Sequence, residues 1–214
     1  MTGRTAQLRI AFFGGAFNPP HLGHSAVARA VLQAGRSDRV LWVPSWRPPH
    51  KNPAGMVPFE ARLAMTRRAA AAVPGSLVSD IEKRRAFEPS YTIRVLEALA
   101  EEFPEARMQL LIGSDSLEEL HTWHRAKELA ERYEVIAYPR RAAHGGAVRL
   151  PEDFWGAAMA ETLRKSVLEG DFVEISSTEL RNALENGAKC VHIMEEAVFS
   201  YIREHGLYGM QPQA

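Results

Sequence analysis

Short apolar runs alternate with stretches of helical periodicity along most of this chain. The runs that predict β-strands cover residues 8–13, 39–44, 77–81, 107–112 and 133–138. Helical spacing of apolar residues follows at residues 25–33, 59–73, 91–103 and 116–131, with an expected break near Trp123. Because strands and helices that alternate in this way form right-handed crossovers, we expect an α/β fold with a doubly wound parallel sheet. A ligand should then bind at the carboxyl ends of the strands.

The pattern weakens between about residues 140 and 170 and then resumes. A short strand is predicted at residues 173–175, followed by helices at about 178–185 and 191–204. The chain has 214 residues, enough for one well-filled core, and no internal repeat or low-complexity tract divides it. We therefore predict a single domain over residues 1–214, with its core at about 8–208 and a helical C-terminal portion.

The charge of the chain is balanced. Its 26 Lys and Arg residues equal its 26 Asp and Glu residues, so no overall field attracts nucleic acid or an anionic membrane, and phosphate recognition must be local. No apolar run approaches the roughly 20 residues of a membrane span, and residues 1–8 are too short and polar for a secretion signal. With one cysteine, Cys190, no disulfide can form within the chain, and we expect a cytoplasmic protein.

The first predicted strand runs into the sequence FGGAFNPPHLGH at residues 13–24. Gly14 and Gly15 lie between strand and helix, where the absence of a side chain lets the backbone approach a phosphate. His24 follows at the first helical turn, where free N–H groups and the helix dipole favour an anion, and His21 precedes it by three residues. The stretch matches neither the GxGxxG fingerprint nor a P-loop, and zinc binding by the two histidines would need a third ligand that is not evident nearby. We therefore predict a phosphate site.

A second stretch, ISSTELR at residues 175–181, also predicts anion binding. Ser177 and Thr178 provide hydroxyls at the start of a predicted helix, and Arg181 follows within its first turn. Taken alone, the pattern equally fits an ordinary helix cap with a surface arginine. The two stretches are far more specific together than either is alone.

As a pair, they resemble the nucleotidylyltransferase superfamily with a His-x-Gly-His signature, and within it the bacterial nicotinate mononucleotide adenylyltransferases. Further similar stretches occur in the family's order: PPHK at 48–51, SYT at 90–92, GSDS at 113–116 and YIREHGLY at 201–208. The similarity spans about residues 8–208. The chain departs from the family at Asn18, where many members carry Asp. It also departs at YPRRAAHGG (138–146), where a short Arg-Pro-Gly turn is common, which leaves the role of Arg140 open.

This resemblance implies a Rossmann-like fold and an enzyme that transfers the adenylyl group of ATP to nicotinate mononucleotide, giving deamido-NAD and pyrophosphate. The acceptor phosphate would attack the α-phosphorus of ATP directly, without a covalent enzyme intermediate. Mg²⁺ is expected on the ATP phosphates, held largely through water, with no protein residue as a metal ligand. No nucleic-acid or membrane partner is implied, and assembly into a homo-oligomer is compatible with the resemblance.

The resemblance also implies residue roles. The catalytic residues would be His21 and His24, which contact the ATP phosphates, together with Lys51 and Arg181, which hold the polyphosphate and the departing pyrophosphate. The remaining ATP contacts would come from Gly14, Gly15, Phe17, Ser177 and Thr178, the last two capping a helix. The acceptor would be bound by Thr92, Asp115 and Trp123. Asp115 also fits a helix cap, and Trp123 also fits ordinary core packing.

Other functions remain open at this stage. A sister adenylyltransferase that acts on nicotinamide mononucleotide or phosphopantetheine would share both stretches. A silent nucleotide-binding sensor would also keep the fold, and pyrophosphate release in the presence of ATP and acceptor would distinguish it from an enzyme. A nucleic-acid-binding domain would need a basic patch or an aromatic platform, and the sequence shows neither.

Overall fold

The computed structural model of the protein describes residues 7–47, 56–140, 148–170, 172, 175–188, 190 and 192–211. In these residues a parallel sheet contains the strands β1 (Leu8–Gly15), β2 (Arg39–Pro44), β3 (Ser76–Val78), β4 (Ala106–Gly113) and β5 (Glu134–Tyr138). The strand order is β3-β2-β1-β4-β5. The chain thus proceeds outward from β1 to β3 and returns to the other side of β1 for β4 and β5. This reversal opens a crevice at the carboxyl ends of β1 and β4.

Helices connect and flank the strands. Their bounds are α1 (Leu22–Gln33), α2 (Phe59–Ala71), α3 (Ile81–Arg84), α4 (Thr92–Glu102), α5 (Ser114–Glu119), α6 (Ala126–Arg132), α7 (Glu152–Trp155), α8 (Ala157–Lys165), α9 (Ser177–Glu185) and α10 (Glu196–Glu204). Two 3₁₀ turns cover Leu120–Thr122 and Leu207–Gly209. No helix in the described ranges is both long and apolar enough to cross a membrane.

Neighbouring residues of β1 pack on opposite faces of the sheet. Phe12 belongs to one apolar core, together with residues of α4, α6 and α8. Phe13 belongs to the other, together with residues of α1, α2, α9 and α10. Helices therefore cover both faces, as the nearly continuous apolar strand sequences indicated. The predicted α/β fold, a Rossmann-like doubly wound parallel sheet in one domain with a helical C-terminal portion, is confirmed.

Most predicted elements are present, but several bounds were wrong. The third strand ends at Val78, and Ile81 begins the short helix α3. Helices α7 and α8 were not predicted, because the isolated turn at 152–155 and the glycine at 156 interrupt the helical pattern. The last helix begins at Glu196 rather than 191. Of the strand predicted at 173–175, residues 173 and 174 lie outside the described residues, and Ile175 is not in a strand.

Candidate active site

Two adjoining cavities open at the carboxyl ends of the strands. The larger has a volume of about 640 Å³ and extends from the β1–α1 turn to Trp123. The smaller, of about 310 Å³, lies over the start of α1. Residues that line both are His24, Tyr138, Arg140, Ser177 and Thr178. The crevice predicted from the strand order is therefore a two-part cleft, and both sequence stretches contribute to its junction.

The two glycines that end β1 are closely packed. A Cβ on Gly14 would lie 2.7 Å from the ring of Phe12, and one on Gly15 would lie 3.2 Å from the ring of Phe17. Phe17 itself is 2% exposed and has a left-handed backbone with φ of 44°. Its ring packs against His24, with ring centroids 5.1 Å apart. Gly14 and Gly15 thus expose backbone to the larger cavity, and Phe17 packs against the ring of His24.

The two histidines form one unit at the start of α1. His21 is the residue before the helix, and its backbone N–H donates to Nδ1 of His24 at 3.2 Å. The two rings are in contact, with centroids 3.7 Å apart and planes tilted by 33°. Because Nδ1 of His24 accepts this hydrogen bond, the neutral ring carries its proton on Nε2. His24 therefore offers an Nε2–H donor from a side chain that lines both cavities.

His21 is buried and neutral. Burial, and to a smaller extent the positive charge of Arg140, lower the pKa of His21 from 6.5 to about 4. Within the described part of the chain, Nδ1 of His21 is buried without a hydrogen-bond partner. A neutral imidazole beside a phosphate contributes a hydrogen bond rather than a charge.

The depressed pKa of His21 predicts a loss of stability in acid. Between pH 6.5 and about 4 the unfolded state binds a proton that the folded state excludes, so the free energy of unfolding falls as the pH falls. From pH 7 to pH 4 this contribution amounts to about 3 kcal/mol. Urea unfolding at the two pH values, compared between the wild type and His21→Gln, measures it. Equal losses in the two proteins would show that His21 takes up its proton as readily folded as unfolded.

The second stretch forms the start of α9, one residue earlier than predicted. Ser177 and Thr178 were expected to cap the helix, but the cap is Ser176, whose Oγ accepts the backbone N–H of Glu179 at 3.3 Å. The cap is shifted because α9 already begins at Ser177. The hydroxyls of Ser177 and Thr178 are left on the first turn, where both residues line the cleft.

Arg181 connects the two stretches. Its Nη1 donates to the backbone carbonyl of Asn18 at 2.9 Å and to that of Ser177 at 3.1 Å, while Nη2 donates to Oγ1 of Thr178 at 3.1 Å. The guanidinium is thereby held at the edge of the larger cavity, which it lines. Residues 163 positions apart in the sequence are joined by this one side chain.

The predicted acceptor residues are only partly brought together. Trp123 lines the larger cavity. Asp115 lies beside it and pairs through Oδ2 with Nη1 of Arg140 at 3.1 Å. A Cβ on Gly113 would lie 2.3 Å from Oδ1 of Asp115, so this glycine makes room for the carboxylate. Thr92 is the first residue of α4 and is not among the described residues that line either cavity.

Arg140 belongs to the cleft, although the sequence left its role open. It follows β5 and lines both cavities. Ser114 fixes its backbone: the Ser114 hydroxyl donates to the Arg140 carbonyl and accepts the Arg140 N–H, each at 3.0 Å. Its position two residues after β5, at the carboxyl end of the strand beside β4, could have identified it from the sequence as a cleft residue.

Arg62 supports the cleft from behind and was missed. It is 1% exposed and donates to the carbonyls of Ala16 at 2.9 Å, Ser45 at 2.7 Å and Trp46 at 3.3 Å. These carbonyls follow the ends of β1 and β2, so one buried cation holds both loops. The sequence signal that could have identified Arg62 was an arginine on the apolar face of α2, three residues before Met65.

Lys51, the remaining predicted catalytic residue, lies outside the described residues.

A parallel sheet whose two-part cleft joins a His-x-Gly-His turn to the start of a C-terminal helix defines a nucleotidylyltransferase. The chain belongs to the cytidylyltransferase-like family, whose model matches residues 12–183. Among its relatives are proteins named probable nicotinate-nucleotide adenylyltransferase. That of Synechococcus sp. (strain JA-3-3Ab) is 38% identical over 94% of this chain and 95% of its own. That of Gloeobacter violaceus is 39% identical over 94% and 96%. The nicotinate-nucleotide adenylyltransferase resemblance seen in the motifs is confirmed.

Solved structures share the fold. Plasmodium falciparum nicotinic acid mononucleotide adenylyltransferase complexed with NaAD superposes with a TM-score of 0.72 at 17% identity, covering 96% of this chain and 100% of that chain. The same enzyme complexed with APC gives a TM-score of 0.73 with the same identity and coverage. At this identity, the likeness establishes the architecture.

Proposed function

We propose that this protein transfers the adenylyl group of ATP to nicotinate mononucleotide, forming deamido-NAD and releasing pyrophosphate. The charge of the cleft carries the proposal. Among the described residues that line the two cavities, Arg140 and Arg181 are cationic and none has a carboxylate. Because the chain as a whole has no net charge and the Asp115 carboxylate beside the cleft pairs with Arg140, the positive charge that Arg181 adds favours ligands that carry phosphates. The name shared by the relatives supports the choice of acceptor.

The two-part cleft fits two nucleotides. The smaller cavity has an apolar wall that includes Val27 and Phe172, and we assign the adenine base to it. The larger cavity contains Trp123, which suits stacking on a pyridine ring. The phosphates of both substrates then meet at the junction, beside His24 and Arg181.

The reaction is a direct displacement at phosphorus. An oxygen of the acceptor phosphate forms a bond to the α-phosphorus, the bond from that phosphorus to the bridging oxygen breaks, and pyrophosphate leaves with the electron pair. Such a step depends on positioning and on stabilising negative charge. The Nε2–H of His24 supplies a donor where this charge develops, and the guanidinium of Arg181 holds the polyphosphate and the departing pyrophosphate.

Mg²⁺ fits this site as a companion of ATP. In the described ranges no group of three His, Cys, Asp or Glu side chains could hold a metal ion. Asp115, which lies beside the cleft, is paired with Arg140. Because Mg²⁺ keeps several waters and binds phosphate oxygens readily, we propose that it enters on ATP and neutralises phosphate charge there.

The direct test is a pyrophosphate-release assay with the purified protein. ATP and CTP are each combined with nicotinate mononucleotide, nicotinamide mononucleotide or phosphopantetheine, and the products are separated by chromatography. We expect deamido-NAD from ATP and nicotinate mononucleotide as the most efficient reaction. CTP is included because the family model is called cytidylyltransferase-like. No pyrophosphate release with any pair would overturn the proposal and favour a nucleotide sensor.

Nicotinate mononucleotide, the acid, should be preferred over nicotinamide mononucleotide, the amide, by about a hundredfold in kcat/KM. A backbone N–H beside the pyridine ring could favour the acid by donating to its carboxylate. The N–H of Trp123 does not do so, because it already donates to the carbonyl of Leu120 at 3.0 Å. The positive charge of the lining favours the additional carboxylate, whereas an amide NH₂ brings a donor that must find an acceptor. Steady-state kinetics with both mononucleotides measure the ratio. Values within about fivefold would indicate an enzyme of dual specificity.

A further inference from the structure

Four segments of the chain meet at Asn18. This residue is 5% exposed, and its Oδ1 accepts hydrogen bonds from the hydroxyl of Tyr208 at 2.7 Å and from the backbone N–H of Val57 at 3.3 Å. Its backbone carbonyl accepts Nη1 of Arg181 at 2.9 Å. The β1–α1 turn is thus bound to the segment before α2, to α9 and to the C-terminal turn.

Tyr208 reaches Asn18 at a conformational cost. Its backbone is left-handed, with φ of 53°, and lies between Gly206 and Gly209, whose φ values are 59° and 75°. A non-glycine residue keeps such a conformation only where its surroundings hold it there. The side chain is 7% exposed, and burial raises the pKa of the hydroxyl, which therefore remains protonated and donates to Asn18.

We propose that Tyr208 is a positioning residue for the transfer reaction: its hydroxyl fixes Asn18, and the Asn18 carbonyl in turn aims the guanidinium of Arg181 into the cleft. This inference rests on the proposed function, because it assigns Arg181 to the ATP phosphates. Tyr208 is not among the described residues that line the cavities. The effect assigned to its hydroxyl passes through Asn18, to which that hydroxyl donates.

The hydrogen bonds of Asn18 Oδ1 indicate which substitution at this position should keep the arrangement. Both donors, the Tyr208 hydroxyl and the Val57 N–H, approach the same oxygen. A carboxylate accepts both hydrogen bonds, so Asn18→Asp should preserve the arrangement, whereas Asn18→Ala removes it.

The test compares Tyr208→Phe with Tyr133→Phe. Tyr133 is 6% exposed, packs in the other core, and its buried hydroxyl has no hydrogen-bond partner in the described residues, so it is a matched control. In Tyr208→Phe we expect the KM for ATP to rise about five- to tenfold, as for a lost buried hydrogen bond, with kcat and the acceptor KM within twofold of wild type. Tyr133→Phe should leave all three unchanged. Equal behaviour of the two variants, or equal rises in both KM values, would overturn the proposal.

A double-mutant cycle identifies the route of the effect. If Tyr208 acts through Asn18, adding Tyr208→Phe to Asn18→Ala changes the KM for ATP by less than twofold, because the contact is already lost. The KM for ATP in Asn18→Asp should remain within threefold of wild type. Additive effects of Tyr208→Phe and Asn18→Ala on this KM would contradict the proposal.

Thermal melting of each variant shows whether it is folded. If Tyr208→Phe does not fold, the contrast between Asn18→Ala and Asn18→Asp decides the matter. A wild type that releases no pyrophosphate refutes the proposed function, whereas an active wild type with an unaffected Tyr208→Phe refutes only this inference.

Discussion

Replacing His24 with alanine is expected to lower kcat by about 10²- to 10³-fold while the protein remains folded. The Nδ1 of His24 accepts the His21 N–H, so the neutral ring carries its proton on Nε2, and the side chain lines both cavities. This donor is needed most when negative charge develops on the transferred phosphate. Steady-state kinetics at saturating substrates, with circular dichroism to confirm folding, measure the loss.

His24→Gln is the informative partner of this variant. A glutamine can place an N–H donor near the position of Nε2, so it should recover part of the lost kcat without the ring. If His24→Ala turned over within about fivefold of wild type, the assignment of a transition-state donor to His24 would be wrong.

Arg181→Ala should lower kcat/KM for ATP by a factor that corresponds to about 2 to 4 kcal/mol of lost transition-state stabilisation. The effect on the KM for the acceptor should be much smaller. The substitution removes a charged fork that is aimed by Asn18, Ser177 and Thr178. Arg181→Lys keeps the charge without the fork and should fall between alanine and wild type. Kinetics with each substrate varied in turn separate the two effects.

Arg125→Ala provides the matched control. Arg125 is a surface arginine that pairs with Glu97 and Glu128, and it lines neither cavity among the described residues. Its loss should not change the kinetics with ATP. A rise in the acceptor KM alone in Arg181→Ala would assign Arg181 to the acceptor side of the cleft.

The parts of the site that could be predicted from the sequence are those defined by local chemistry. Gly14 and Gly15 end β1 and His24 lies in the first turn of α1, while Ser177, Thr178 and Arg181 lie within the first five residues of α9. Neighbouring positions such as these carry the pattern of a phosphate site in their spacing alone. The doubly wound parallel sheet could likewise be expected, because strands that alternate with helices form right-handed crossovers.

The parts that could not be predicted depend on contacts between distant segments. Arg62 is a buried cation whose partners are backbone carbonyls. Because every residue has a backbone carbonyl, the sequence does not indicate which ones Arg62 contacts. The pairing of Arg140 with Asp115 depends on how two strand ends are placed side by side. The contact between Asn18 and Tyr208 joins residues 190 positions apart, for which periodicity provides no information.

That same separation determines when the site can form during protein synthesis. Asn18 is held by Arg181 and by Tyr208, 163 and 190 residues later in the chain. At about 5 to 20 residues per second, a ribosome needs roughly 10 to 40 s to synthesise the 190 residues from Asn18 to Tyr208. The glycine and histidine turn is therefore made long before Arg181 and Tyr208, which hold it. A nascent chain consequently has no complete nucleotide cleft until Tyr208 has left the ribosome.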